Sequence, residues 1–234
     1  MDFVDRLSGR SINFDSLLKF SNLDVRVQAH LKRVYATLAC ALVVCAVGAY
    51  VNVLTGLGGM VSLLGSVGSV FWLSTTPNLP STLNKRYSLL GVTAFLQGCS
   101  IGPLVGNVWS YNPGLIMTAF LGTAGVFFCF SMAALLSPRR SYLYLGGFLS
   151  ASVLGLFVFR MFRASNFALE IYGGLLVFLL YIIFDTQMIV EKASAGDNDH
   201  VKAALDLFVD FVAVFVRLCV ILMKKADEKE RKRR

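Results

Sequence analysis

Charged residues are scarce in this sequence, and the motifs of enzymes and metal sites are missing. Only 15% of the 234 residues are charged, whereas soluble globular domains carry about 25%. The five cysteines lie inside apolar runs without CxxC or Cys/His spacing, which predicts packing and not zinc binding. The two histidines, His30 and His200, have no neighbouring ligand residues, and we expect both to be solvated. Without a Ser-His-Asp order, GxSxG, HExxH or phosphate loop, we expect neither an enzyme nor a bound cofactor.

Long apolar runs fill most of the chain instead. A helix needs about 20 apolar residues to cross a hydrocarbon core about 30 Å thick. Six segments meet this length, at 34–54, 57–75, 88–108, 114–136, 141–161 and 169–190, and a seventh at 203–223 is apolar but carries charges. We therefore predict an all-α membrane protein, a bundle of six to seven transmembrane helices with the last one buried among the others.

Three regions follow from this pattern. Residues 34–223 form one multi-helix membrane domain, because the connections are too short to hold a soluble domain. Residues 1–33 form a cytosolic N-terminal segment, in which 12–20 has the apolar pattern of a short amphipathic surface helix. An unstructured terminus is an equal alternative there. Residues 224–234 form a basic C-terminal tail.

The basic residues lie mostly at the edges of the apolar segments. The net charge of +8 collects in the N-terminal approach, in short connections and in the tail. Membrane-edge lysines and arginines explain this distribution, so we expect a lipid bilayer and no nucleic acid as partner. With a cytosolic N-terminus the positive-inside rule holds until the tail, whose basic residues are Lys224, Lys225, Lys229, Arg231, Lys232, Arg233 and Arg234. Charge counting favours a cytosolic tail and the apolar length favours a crossing helix, so both remain open.

Small residues recur at helical spacing in two segments. Gly98, Gly102 and Gly106 follow one another every four residues, and Ser62 to Ser69 forms a similar stripe. Such stripes let two helices approach closely, and we predict that they serve packing and carry no chemistry.

Acidic residues inside apolar segments point to function. Asp185 lies in YIIFDTQMIVEK, and Asp206 and Asp210 lie in ALDLFVDFVAVFVR. An ionised Asp at mid-membrane costs about 2.5–3.5 kcal/mol, so such residues face a cavity or a partner. At 100° per residue, Asp206, Asp210 and Arg217 share one stripe of the seventh segment. That stripe is expected to face the interior, where the sixth segment offers Asp185.

Two buried carboxyl groups in contact would share a proton and, when deprotonated, would bind a divalent cation. We therefore predict that Asp185 and Asp210 form a combined pH sensor and calcium site, with Asp206 and Arg217 as accessory residues. The alternatives are that Asp185 is solvated at the membrane edge and that Asp206 is a first-turn helix residue. Arg217 either pairs with an interior carboxylate or extends to the interface, the second being slightly favoured.

Stretches along nearly the whole chain resemble the Bax inhibitor family of multi-helix membrane proteins. They include INFDSLLKFS, HLKRVYATLACAL, NKRYSLL, NPGLIMTAFLGTA, RRSYLYLGGFLS, FDTQMIVEKASAGDNDH and LDLFVDFVAVFVRL. The resemblance implies an endoplasmic-reticulum membrane protein that suppresses programmed cell death and acts as a pH-sensitive calcium leak. It also implies a seven-helix bundle with the last helix central, and a gating aspartate pair at Asp185 and Asp210.

The sequence departs from the family pattern at one position, and the resemblance implies one further partner. The bacterial form of the family has an arginine in its second helix that latches the pair, whereas this sequence has no Arg or Lys between Val51 and Asn84. In plant members the basic tail is associated with calmodulin binding, which the tail from Lys224 to Arg234 would allow. A basic patch at the membrane surface explains the same residues equally well.

Two other functions are compatible with parts of the sequence. The first is a membrane scaffold that suppresses cell death by binding partner proteins without conducting ions, based on the basic tail and short loops. The second is an intramembrane aspartyl protease, since two membrane aspartates could activate water. It is disfavoured because the second aspartate lies in LFVD and not in GxGD, and because no PAL motif occurs.

Overall fold

The computed structural model of the chain describes residues 24–56, 58–136, 144–161 and 168–232. These residues form seven α-helices and no strand: α1 Val25–Thr55, α2 Met60–Thr75, α3 Leu83–Tyr111, α4 Pro113–Leu136, α5 Leu145–Met161, α6 Gly174–Ser194 and α7 His200–Arg231. A 3₁₀ turn (Pro80–Thr82) precedes α3, and a π turn (Leu169–Gly173) precedes α6. The all-α prediction is confirmed. The amphipathic segment predicted at 12–20, together with Arg233 and Arg234, lies outside the described residues.

Four helical stretches are long and apolar enough to cross a membrane, at Val25–Thr55, Pro80–Tyr111, Pro113–Leu136 and Leu169–Ser194. The protein is therefore a multi-pass membrane protein. The spans predicted at 57–75 and 141–161 are shorter in the structure, where α2 has 16 residues and α5 has 17. Gly56 and Gly59 explain the late start of α2, because their φ angles of 68° and 80° break the helix before Met60.

Helix α3 packs closely against α1, as the glycine stripe predicts. A Cβ atom on Gly98 would overlap the backbone carbonyl oxygen of Cys45, and one on Gly102 would overlap the side chain of Asn52. A Cβ atom on Gly106 would lie 3.6 Å from Val53, which is an ordinary contact. Close approach thus requires glycine at the first two positions and not at the third.

Helix α7 lies at the centre of the bundle, in contact with α1, α3, α4, α6 and the π turn. Near its start Asp199 is bonded to Arg86 at the start of α3, and near its end Glu230 accepts a hydrogen bond from Tyr111 at the end of α3. The two helices therefore run parallel along the whole bundle. The tail therefore leaves the bundle at the end opposite Arg86.

The described part of the tail continues α7 as helix through Arg231. Its basic residues alternate with acidic ones, and Arg231 forms an exposed ion pair with Asp227 at 3.2 Å. With 32 residues, α7 is about 48 Å long. The helix is therefore longer than the thickness of a hydrocarbon core of about 30 Å.

Candidate functional site

Asp185 on α6 and Asp210 on α7 meet inside the bundle, with their carboxyl groups within hydrogen-bonding reach of each other. Asp210 is only 3% exposed, and Asp185 is partly exposed. Within the described residues, Oδ2 of Asp210 is buried and has no hydrogen-bond donor. Since ionised carboxylates only accept hydrogen bonds, the contact requires either a proton on one of the two groups or a cation between them.

A polar cavity of about 150 Å³ extends between Asp185, one member of the pair, and Asp199, which contacts Arg86. Its charged and ionisable lining consists of His30, Asp185, Lys192, Asp197, Asp199, Lys202 and Asp206. The volume is sufficient for a few water molecules. Asp185 and Asp206 both line this cavity. Asp185 is therefore the member of the pair that borders the polar cavity.

A buried ion pair lies beside the cavity. Nη1 and Nη2 of Arg86 donate to the two carboxylate oxygens of Asp199 at 2.8 and 2.6 Å, and the Arg86 residue is 1% exposed. Asp199 is also the N-cap of α7, where its carboxylate accepts a hydrogen bond from the backbone N–H of Lys202 at 3.0 Å. Burial alone would raise the pKa of Asp199, but the hydrogen bonds from Arg86 and Lys202 outweigh it and lower the pKa below its usual 3.8.

The histidines lie near the same end of the bundle. Nε2 of His200 lies 2.6 Å from the hydroxyl oxygen of Tyr87. His30 is 6% exposed and lines the polar cavity, so the prediction that it is solvated is wrong. The apolar neighbours Val27 and Leu31 are both buried in the hydrophobic core and hold this part of α1 against the bundle.

Arg217 is held against α6 and faces the same interface as the aspartate pair. Its guanidinium Cζ lies 4.4 Å from the centre of the Phe178 ring, and Nη1 donates to the backbone oxygen of Ala213 at 2.9 Å. A Cβ atom on Gly174 would come within 3.1 Å of the same Cζ. The guanidinium of Arg217 thus packs against α6 at Gly174, where any larger side chain would overlap it.

A calcium ion at the Asp185–Asp210 pair would have two carboxylates as protein ligands. Among the described residues, no group of three or more His, Cys, Asp or Glu side chains is placed to hold a metal ion. Calcium takes six to eight oxygen ligands, so water would have to supply most of the shell. Such a site is suited to weak, transient binding of a permeating ion and not to tight storage.

Arg86 and Asp199 are not among the site residues predicted from the sequence. Arg86 lies in one of the short basic connections, and no role is predicted for Asp199 from the sequence. The available signal was the position of Asp199 directly before the seventh segment, where an aspartate is typical of a helix N-cap.

Comparisons with known proteins find similarity along nearly the whole chain. The profile of the family described as "Inhibitor of apoptosis-promoting Bax1" matches residues 27–227. "Bax inhibitor 1" of Arabidopsis thaliana is 48% identical over 236 residues, which cover 97% of this chain and 94% of that relative. "Bax inhibitor 1" of Homo sapiens is 43% identical over 232 residues, which cover 96% of this chain and 98% of that relative.

Proposed function

Because the chain belongs to the Bax inhibitor 1 family, which is not a family of enzymes, we propose that it suppresses programmed cell death as a calcium leak channel of the endoplasmic-reticulum membrane. In this proposal the Asp185–Asp210 pair is both the proton sensor and the ion site. The observation that carries the proposal is the contact between the two carboxyl groups in the interior of the bundle. Calcium is the transported ion, and no resident cofactor takes part.

The pair would respond to pH because a proton and a calcium ion compete for the same two carboxyl groups. A proton shared by the two carboxyl groups leaves the pair with a single negative charge and holds α6 to α7. Loss of that proton leaves two negative charges, which repel each other or bind a cation. Either change alters the contact between α6 and the central helix. A closed–open equilibrium that depends on this contact would therefore follow the proton concentration at the polar cavity.

Calcium flux through proteoliposomes tests this mechanism. Replacing Asp210 with asparagine removes the ionisable group but keeps the size of the side chain, so we expect the flux to lose its pH response. Asp227→Asn is the matched control, because Asp227 lies on the same helix in the tail with 51% of its side chain exposed. Its flux and pH response should equal those of the wild type. An unchanged pH response in Asp210→Asn would refute the pair as the sensor.

A second proposal concerns the tail, because α7 continues beyond the length of the hydrocarbon core. The exposed basic side chains there, such as Lys225 and Lys229, could bind calmodulin or another acidic partner, which makes the protein a scaffold. Truncation after Met223 separates the two functions. Cell protection that is lost while calcium flux persists would favour the scaffold, and a cytosolic calmodulin complex would additionally require the tail to face the cytosol.

A further inference from the structure

An apolar cavity of about 540 Å³ lies between α1, α3, α4 and α7. This volume is within the range of about 300–1,000 Å³ that is usual for ligand sites. None of the lining residues is charged, and their polar side-chain atoms are the Tyr50 hydroxyl, the Trp109 indole N–H and the Cys45 thiol. A molecule that fills this cavity must therefore be almost entirely apolar.

The cavity opens sideways between α1 and α4, and its floor is the central helix. In the described part of the chain, Tyr50 on α1 and Met117 on α4 are 64% and 60% exposed, whereas Phe211 and Val212 on α7 are 5% and 4% exposed. Because the protein crosses a membrane several times, a side opening among its apolar helices faces lipid and not water. The molecules that can enter from this side are therefore membrane lipids.

The length of the cavity matches one leaflet of the bilayer. Its lining on α1 runs from Leu42 to Leu54, a distance of about 18 Å along the helix. Half of a hydrocarbon core of about 30 Å is about 15 Å, the depth that the acyl chains of one leaflet fill. Trp109 lines the cavity near the tail end of the bundle, and tryptophan is enriched at the level of the lipid headgroups. The cavity thus follows an acyl chain from the headgroups toward the middle of the bilayer.

A positive charge lies above the cavity on the same side of α7. Lys225 follows Phe211 by fourteen residues, which places it about 21 Å farther toward the tail and about 40° around the helix. Its side chain is exposed. A phospholipid whose acyl chain fills the cavity would have its phosphate near this lysine, so the two charges are complementary. A sterol carries no anion, and the charge therefore favours a phospholipid.

We propose that this cavity binds one acyl chain of a phospholipid from the leaflet at the tail end of the bundle. The bound chain packs against Phe211, whose ring also contacts Phe120 and Phe127 at centroid distances of 5.9 and 5.6 Å. Since Phe211 directly follows Asp210, the lipid supports the central helix beside the aspartate pair. Lipid binding at this site does not depend on ion conduction by the protein.

Fluorescence quenching by a phosphatidylcholine brominated near the headgroup end of its acyl chains tests the site. The sequence has two tryptophans, Trp72 and Trp109, so Trp72→Phe leaves a single reporter that lines the cavity. In detergent micelles we expect its fluorescence to fall and to reach a plateau at an equimolar ratio of lipid to protein. Trp109→Phe leaves Trp72, which does not line the cavity, and this tryptophan should not be quenched at that ratio.

Two substitutions change the site itself in the Trp72→Phe background. Ala46→Phe fills the cavity, because Ala46 lines it and is exposed there, so the quenching at an equimolar ratio should be lost. Val47→Phe is the matched control, since it adds the same ring at the next position of α1, outside the lining. Lys225→Gln should weaken binding about two- to four-fold, as expected for one exposed charge pair, and an unchanged affinity would refute the position of the phosphate.

Native mass spectrometry of the wild type gives an independent measurement if the tryptophan variants do not fold. We expect one phospholipid to remain bound to the wild type and to Val47→Phe, and none to Ala46→Phe. A wild type that retains no phospholipid, or equal quenching of Trp72 and Trp109 without a plateau, would overturn the proposal. Displacement of the brominated lipid by equimolar cholesterol, but not by unbrominated phosphatidylcholine, would overturn it in favour of a sterol.

Discussion

Replacing Arg86 with alanine should cost about 3–5 kcal/mol of unfolding free energy, because it leaves the charge of Asp199 without its buried partner. The side chains of the pair are 2% and 15% exposed, so solvent compensates little of the loss. Asp199 keeps its bond to the backbone N–H of Lys202, which favours the lower part of that range. The ion pair joins the starts of α3 and α7, so its loss weakens a buried contact between two helices.

Titration of the purified protein from detergent micelles into SDS measures this change, with helicity followed by circular dichroism. Lys85→Ala is the matched control, since it removes the same charge from the neighbouring position. Lys85 is exposed and lies 5.2 Å from the centre of the Trp72 ring. A contact of this kind at an exposed site contributes about 0.5–1 kcal/mol. The two alanine variants should therefore differ by at least about 2 kcal/mol.

A double variant distinguishes the ion pair from other effects of Arg86. Arg86→Met combined with Asp199→Leu removes both charges, so no buried charge remains alone. The double variant should lose less unfolding free energy than the sum of the losses in the single variants Arg86→Met and Asp199→Leu. If Arg86→Ala is no less stable than Lys85→Ala, or if the single losses simply add, then the ion pair does not hold the two helices together.

Two further predictions use the same titration. The stability difference between the wild type and Asp199→Asn should stay constant above pH 3.8, the usual pKa of this carboxyl, and should disappear as the pH falls below it through the lower pKa of the folded state. The reason is that a carboxyl group whose pKa is lowered by folding stabilises the protein only while it is ionised; a constant difference at lower pH would contradict the cause assigned to the shift. Gly98→Ala should cost about 1–3 kcal/mol, because the added methyl group overlaps the backbone of α1. Gly91→Ala, on the same helix with open space around it, should be neutral or stabilising by up to about 1 kcal/mol, and equal losses in the two variants would refute the close approach.

The arrangement of α7 could be predicted from the sequence because its charges share one face. Asp206, Asp210 and Arg217 fall on a single stripe, and a charged stripe cannot face lipid without a large cost. The structure agrees, with α7 in the centre of the bundle. The two short helices could not be predicted, because apolar length alone does not reveal where residues such as Gly59 end or delay a helix.

The ion pair at the cavity could not be read from the sequence for a different reason. Arg86 and Asp199 are 113 residues apart, and their contact depends on which helices become neighbours. An arginine beside an apolar segment is normally a membrane-edge charge, so its local context pointed elsewhere. The same limit applies to His30, whose burial results from the packing of α1 against the bundle.

The central position of α7 matters for both stability and function, because its charged stripe must be kept away from lipid. Each of its interior charges would be costly against lipid, at about 2.5–3.5 kcal/mol for an aspartate at mid-membrane, so the surrounding helices must shield the stripe. The same shielding brings Asp185 against Asp210 and Phe178 against Arg217. Any movement of α6 relative to α7 therefore changes both contacts together. In the proposed mechanism, a change at the aspartate pair is therefore expected to be transmitted to the Arg217 contact, about 10 Å farther along α7.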